Sequence, residues 1–178
     1  MLAALRSVVF RVDASVFHWV VAHRSPLLNQ TMIVLGHGGA LVWSLGALVL
    51  ALVMRRRSPG LFQVALAIGL AALLADVAAK PLIARHRPFC SFTDIEVMAK
   101  LQRSGSFPST HAAGAFAAAF GLSRVLPEAR AAFWIVAMLV AFARVYLGVH
   151  YPVDVIGGAV IGTLAAAFAI GKTEWRDF

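Results

Sequence analysis

Residues 58–88 read SPGLFQVALAIGLAALLADVAAKPLIARHRP. Between Ser58 and Ala79 the only charged side chain is Asp76. A helix of that length, at about 1.5 Å per residue, crosses a hydrocarbon core of ~30 Å. The run stops at Lys80-Pro81, because proline disfavours helical geometry in the residue before it. A transmembrane helix is therefore expected over 58–79, with the basic segment Lys80–Pro88 emerging at one membrane face.

The same pattern recurs on either side. Residues 25–54 carry no Lys, Arg, Asp or Glu and end at Arg55-Arg56-Arg57, an apolar run with a charged stop. Further apolar runs extend from about Thr110 to Leu126, from about Ala131 to Val149 and from Pro152 to Gly171. Five transmembrane helices are expected. The first two dozen residues differ: Leu5, Val8, Val9, Val12, Val16, Trp19 and Val20 recur at helical spacing while Ser7, Arg11, Ser15 and His18 cluster elsewhere, the pattern of an interfacial amphipathic helix. Arg6, Arg11 and Asp13 interrupt this stretch, so a removable signal peptide is not expected. Gly114, Ala115, Ala118, Ala119, Gly157, Gly158 and Gly162 lie at spacings that permit close helix contact. The expected fold is all-α, an integral membrane bundle forming a single domain over 1–178, with a long connection at 81–109 of the kind that is often functional.

Composition supports this. The chain is 61% hydrophobic and 13% charged, whereas soluble domains run at roughly 45–50% and about 25%. A disordered chain is excluded. Sixteen Lys+Arg against eight Asp+Glu give +8, but the charges sit between apolar runs, which favours topology signals, anionic headgroups and phosphate ligands over nucleic acid. The single cysteine, Cys90, rules out an intrachain disulfide and a cysteine-built metal site. No cofactor or metal is expected.

Threading five spans puts residues 1–24, 80–109 and 144–154 on one side of the membrane. Residues 55–57, 123–130 and 172–178 fall on the other, which carries Arg55, Arg56, Arg57, Arg124, Arg130, Lys172 and Arg176 on short segments. The positive-inside rule makes that second side cytoplasmic. In a bacterial inner membrane the first side then faces the periplasm or exterior.

Three polar clusters converge on that first side: Lys80-PLIARH-Arg87-Pro88, Phe107-Pro108-Ser109-Thr110-His111, and Arg144-VYLGV-His150-YPV-Asp154. At Lys80, Arg87, Arg144, His111, His150, Ser109 and Asp154 they hold three fixed cations, two histidines, a hydroxyl and a carboxylate, the parts needed to transfer a phosphoryl group without a metal. Lys80, Arg87 and Arg144 suit non-bridging phosphate oxygens. Ser109 and Thr110 stand where a helix begins, so its N–H groups and dipole favour an anion there. One histidine must attack phosphorus and the other protonate the leaving oxygen, since one group does not readily serve both faces of an in-line displacement. Asp154, four residues after His150, is close enough to accept its ring N–H and set the tautomer, which marks His150 as the nucleophile.

These clusters resemble the three motifs of the type 2 phosphatidic acid phosphatase superfamily, which includes lipid phosphatases, class A acid phosphatases and vanadium haloperoxidases. They match K-x6-R-P, P-S-x-H and R-x5-H-x3-D. The resemblance implies a phosphohistidine intermediate on His150, His111 as general acid, Lys80, Arg87, Ser109 and Arg144 around the phosphate, and no metal. Thr110 stands where glycine is usual, and Ala143 where serine usually precedes the arginine. Within the superfamily, Arg87-Pro88-Phe89, Ser106 to His111 and Tyr146 to Val155 are similar to phrases of small bacterial undecaprenyl-diphosphate phosphatases. The implied substrate is a lipid-linked phosphate or diphosphate, foremost a polyprenyl diphosphate; phosphatidate, phosphatidylglycerophosphate and lipid A are alternatives, as is transfer to another lipid or sugar. Oligomeric state is not indicated.

Other residues have plainer readings. Asp76, one turn before Lys80, pairs with it; Arg85 snorkels at a helix end; Trp134 and Trp175 are belt anchors. His18, His23, His37 and His86 are packing or interface residues.

Overall fold

The computed structural model describes residues 2–37 and 58–171. The later part of the expected first span, the Arg55–Arg57 cluster, and Lys172, Trp175 and Arg176 lie outside the described residues. The elements in order are α1 (Leu2–Ala22), α2 (Pro26–His37), α3 (Ser58–Leu73), a π-helical turn (Leu74–Ala79), α4 (Lys80–Ile83), α5 (Pro88–Ser91), α6 (Thr110–Val125), a 3-10 turn (Pro127–Ala129), α7 (Arg130–Tyr146) and α8 (Pro152–Ile170). No strand occurs among the described residues.

Among the described residues, three stretches are long and apolar enough to cross a membrane: Gly60–Ser91, Pro127–Tyr146 and Pro152–Ile170, with mean hydropathy 2.1, 1.6 and 2.0. Their outer faces are apolar. Phe62, Val77, Ile156, Leu164 and Phe168 are all exposed, with Phe168 at 84%, a surface that water would penalise and lipid accepts. The protein is a helical membrane protein.

The bundle is built around α6. Its Ala112, Ala113, Ala115, Ala117, Ala118, Ala119 and Gly121 are buried, and it packs on α3, α7 and α8. Small side chains allow this close approach. A side chain at Gly158 would strike the Ser109 carbonyl and Ala112, and one at Gly162 would strike the Ala113 backbone. At 16 residues, about 24 Å by the helical rise, α6 is a central post that the longer helices surround.

Proline does not end the second span where expected. The helix continues through Lys80-Pro81 to Ile83, by way of the π-helical turn in which the Lys80 N–H donates to the Ala75 carbonyl, five residues back. Proline damages an α-helix because its ring meets the carbonyl four residues earlier. The wider turn relieves that contact, and Ala84 then closes the helix in left-handed backbone at φ 44°.

Around α1, the apolar residues Val8, Val9, Val12, Val16 and Trp19 face outward, while Phe17 and Val20 turn inward and join Tyr146, Leu147, Val149 and Tyr151 in a core cluster. Among the α1 side chains described, the one buried charge is Asp13.

Candidate active site

Each motif residue sits where a helix starts or stops. Lys80 closes the π-helical turn, Arg87 precedes α5 in extended backbone, and Ser109 caps α6, its Oγ accepting the Ala112 N–H. Arg144 lies in the last turn of α7, which ends before Gly148, a residue in left-handed backbone at φ 82°. His150 follows in the loop. Pro152 then starts α8 at a position where no N–H is needed. Asp154 sits one turn in, and its Oδ2 accepts the Tyr151 N–H at 2.8 Å. The Ser109 N–H donates to the Asp154 carbonyl at 2.9 Å, joining the starts of α6 and α8. That N–H, expected from sequence to be offered to an anion, is thus committed to the protein.

The His150 ring is 1% exposed. Its Nε2 lies 3.2 Å from Arg87 Nη1, and its Nδ1 faces Asp154 Oδ2 at 3.5 Å. A guanidinium only donates, so Nε2 presents its lone pair and the ring proton belongs on Nδ1, toward the carboxylate. Burial pushes the imidazole down from 6.5 to about 4, against the opposing pull of Asp154. At neutral pH the ring is an uncharged base.

Arg87, fully buried, is anchored on the connection 81–109 and on the His150 loop. Its Nε donates to the Ser104 carbonyl at 2.9 Å, Nη1 to the Val149 carbonyl at 3.0 Å, and Nη2 to Gln102 Oε1 at 2.7 Å. Arg144 is also buried and donates from Nη1 to the Gly36 carbonyl at 2.7 Å. Its Nε is buried without a hydrogen-bond partner among the described residues, an uncommon condition for a charged donor.

Lys80 completes the cationic side. Its Nζ donates to Asp76 Oδ1 at 2.5 Å and to Thr110 Oγ1 at 2.8 Å, and the Thr110 hydroxyl donates to the same Asp76 oxygen at 2.6 Å. The expected Asp76–Lys80 pair is present, and Thr110 belongs to the same triangle. His111, half-buried at the second position of α6, lies in the field of Arg144, His150, Lys80 and Arg87.

Two residues of this centre were missed by sequence reasoning. Arg85 does not snorkel: its Nη1 donates to Asp154 Oδ1 at 2.8 Å and its Nη2 to Asp13 Oδ2 at 2.5 Å. A signal for Asp13 was present, since it is the only acid before Asp76 and lies in an apolar helix. Among the described residues, no group of three or more His, Cys, Asp or Glu is arranged to hold a metal ion.

A membrane-embedded helical bundle with three basic segments gathered around two histidines defines a class, and comparison assigns it. The PAP2 superfamily model matches residues 60–177, and the chain belongs to that superfamily. Over 156 residues it is 30% identical to the undecaprenyl-diphosphatase of Sulfolobus acidocaldarius, covering 85% of this chain and 73% of that protein. The crystal structure of Aquifex aeolicus LpxE superposes with TM-score 0.79 at 27% identity, over 89% of this chain and 94% of that one. A transmembrane PAP2 type phosphatidylglycerolphosphate phosphatase from Bacillus subtilis superposes at TM-score 0.76 and 28% identity, over 95% and 90%. The matched stretch spans about half the length, 46% to 51%, of three other curated relatives.

Proposed function

We propose that this protein is a membrane lipid phosphatase that hydrolyses a lipid-linked phosphate or diphosphate through a phosphohistidine, as a single catalytic domain over 1–178. The observation that carries the proposal is the buried His150, with its Nε2 lone pair against Arg87 and its Nδ1 against Asp154. A neutral, oriented imidazole beside fixed cations is an activated nucleophile for phosphorus.

In the proposed reaction the substrate phosphate enters among Arg87, Arg144 and Lys80. Arg87 Nη1 transfers its hydrogen bond from Nε2 to a non-bridging oxygen, which frees the lone pair. The unpartnered Arg144 Nε supplies another donor, with Ser109 and Thr110 at the same corner. His150 Nε2 attacks phosphorus, the N–P bond forms as the P–O bond to the leaving group breaks, and His111 gives that oxygen its proton. Asp154 stabilises the positive charge that develops on the His150 ring. Water then attacks the phosphohistidine, His111 takes its proton, and inorganic phosphate leaves with His150 restored. The positive charges that stabilise the transition state are side chains, so no divalent metal takes part.

The favoured substrate is a polyprenyl diphosphate, cleaved to the monophosphate. The Sulfolobus undecaprenyl-diphosphatase, matched over most of this chain, supports that choice. Phosphatidylglycerophosphate is the second reading, favoured by the Bacillus structure. The site is proposed to face the periplasm or exterior of a bacterial inner membrane. Phosphate release by the purified protein across polyprenyl diphosphate, phosphatidate, phosphatidylglycerophosphate and lipid A, with acceptor products analysed, tests this function. Release fastest from the polyprenyl diphosphate, with water as acceptor, is the expected result; a phosphorylated lipid or sugar product makes the protein a transferase instead.

A further inference from the structure

The charges behind His150 continue past the three motifs into α1. Asp154 uses both carboxylate oxygens: Oδ2 accepts the Tyr151 N–H and faces His150, while Oδ1 accepts from Arg85. Arg85 reaches in the other direction to Asp13 Oδ2, and Asp13 Oδ1 accepts the Val153 N–H at 2.9 Å, in the first turn of α8. The guanidinium also lies 4.2 Å from the centroid of the Tyr151 ring. Both carboxylates are buried, Asp13 at 2% and Asp154 at 0% exposure. Two buried anions thus share one planar cation, whose fork reaches both at once in a way an ammonium does not.

A carboxylate held at one oxygen turns about its terminal torsion; held at both, it keeps one orientation. We infer that Arg85 is a positioning residue for the nucleophile: it clamps Asp154 so that Oδ2 faces His150 Nδ1, and Asp13 of α1 holds Arg85 in place. The inference rests on the phosphohistidine reading. It gives α1 a part in catalysis, because the helix, whose apolar face points outward, is tied to the catalytic loop through its single buried acid.

The test uses the full chain in detergent micelles as Arg85→Ala, Arg85→Lys and Asp13→Asn. Two quantities are measured: the titration of the His150 ring by nitrogen-15 histidine NMR, assigned with His150→Ala, and kcat and KM for phosphate release. The groups facing His150, namely Arg87, Arg144, Asp154 and His111, remain in every variant. Removing Arg85 releases Asp154 Oδ1, the carboxylate turns from Nδ1, and the ring loses the contact that favours its charged form, so its titration midpoint falls, by about one pH unit. The same variant lowers kcat about 10–100-fold, the usual cost of losing the group that orients a reactive ligand, while KM stays within about threefold. Arg85→Lys restores part of both changes. Asp13→Asn, which keeps an oxygen for Val153, lowers kcat by a smaller factor. A folded Arg85→Ala protein with the wild-type titration and kcat overturns the inference. If Arg85→Ala does not fold, wild-type titration and kcat in both Arg85→Lys and Asp13→Asn overturn it equally. Absence of phosphate release by the wild type from every substrate would refute the phosphatase reading, and the His150 titration would still decide the clamp.

Discussion

Arg87 Nη1 and His150 Nε2 lie 3.2 Å apart, and this contact determines which ring nitrogen keeps its lone pair. Because arginine offers only donors, the lone pair on that nitrogen is preserved and the ring proton is sent to the Asp154 side. In the proposed reaction the cation that holds this ring nitrogen in register is also the one that takes up phosphate charge once substrate arrives.

The two histidines are separable by leaving group. His150→Ala abolishes turnover of every substrate, since it removes the attacking atom. His111→Ala is severe for an alkoxide leaving group, by the ~10²–10⁴-fold that general acid catalysis contributes, and milder for an activated aryl phosphate whose oxygen departs unprotonated. Asp154→Asn leaves partial activity, because the nucleophile remains and loses its orientation. Steady-state rates on a phosphatidate and on an aryl phosphate check the assignment. Near-normal hydrolysis by His150→Ala would reverse it.

The acid limb of activity follows from burial of His150. The folded ring titrates at about 4 rather than 6.5, so it is neutral and nucleophilic throughout the range above about 4. Protonation of this ring therefore costs no kcat/KM as the pH falls through 6.5, and the loss it causes comes near 4. kcat/KM reports the free enzyme, the state with this geometry. An acid limb already half lost at pH 6.5 would contradict it.

Much of this centre was legible in the sequence, and the reasons differ by residue. The starts of α6 and α8 were readable because Ser109 and Pro152 are local helix starters followed by long apolar runs. The convergence of the motifs was readable because apolar runs return the chain to one membrane face. The Arg85–Asp13 pair was not, since it joins residues 72 apart and exists only after α1 docks on the start of α8. Periodicity also showed that α1 has an apolar face, but not that Phe17 and Val20 turn from it into the core beside Tyr146 and Tyr151. Nor did any local signal announce the π-helical turn, because its residues are ordinary helix formers and only the proline after it makes the wider turn favourable.

Chelation leaves the activity intact. In the proposed mechanism Lys80, Arg87 and Arg144 supply the positive charge that a divalent ion supplies in metal-dependent phosphatases. Vanadate, which mimics five-coordinate phosphorus, inhibits. Phosphate release with EDTA and with orthovanadate checks both statements, and loss on chelation restored by magnesium would refute the mechanism.

Orientation is open to chemical labelling at Cys90, an exposed residue two positions beyond the Arg87-Pro88 motif. With the site facing outward, a membrane-impermeant maleimide modifies Cys90 in cells whose inner membrane is intact. Modification only after that membrane is permeabilised would place the site on the cytoplasmic side.

Glycine substitutions distinguish close helix packing from incidental small residues. At Gly162 an added Cβ would collide with the Ala113 carbonyl and Cα, backbone atoms that a side-chain rotation does not clear. At Gly158 it would strike the Ser109 carbonyl, whose residue is tied through its N–H to Asp154. Gly69, also helical, has nothing within 4 Å of such a Cβ. Gly162→Ala is accordingly destabilising by about 1–3 kcal/mol, the usual cost of overpacking, and Gly69→Ala is neutral or stabilising by up to about 1 kcal/mol through helix propensity. Gly158→Ala costs activity as well as stability, because the displaced α6 start carries Ser109, Thr110 and His111 away from the His150 loop. Thermal melts in micelles together with kcat on a common substrate separate the three. Equal melting temperatures for Gly69→Ala and Gly162→Ala would show that α6 and α8 do not approach as closely as described, and unchanged kcat for Gly158→Ala would show that the α6 start does not depend on that contact.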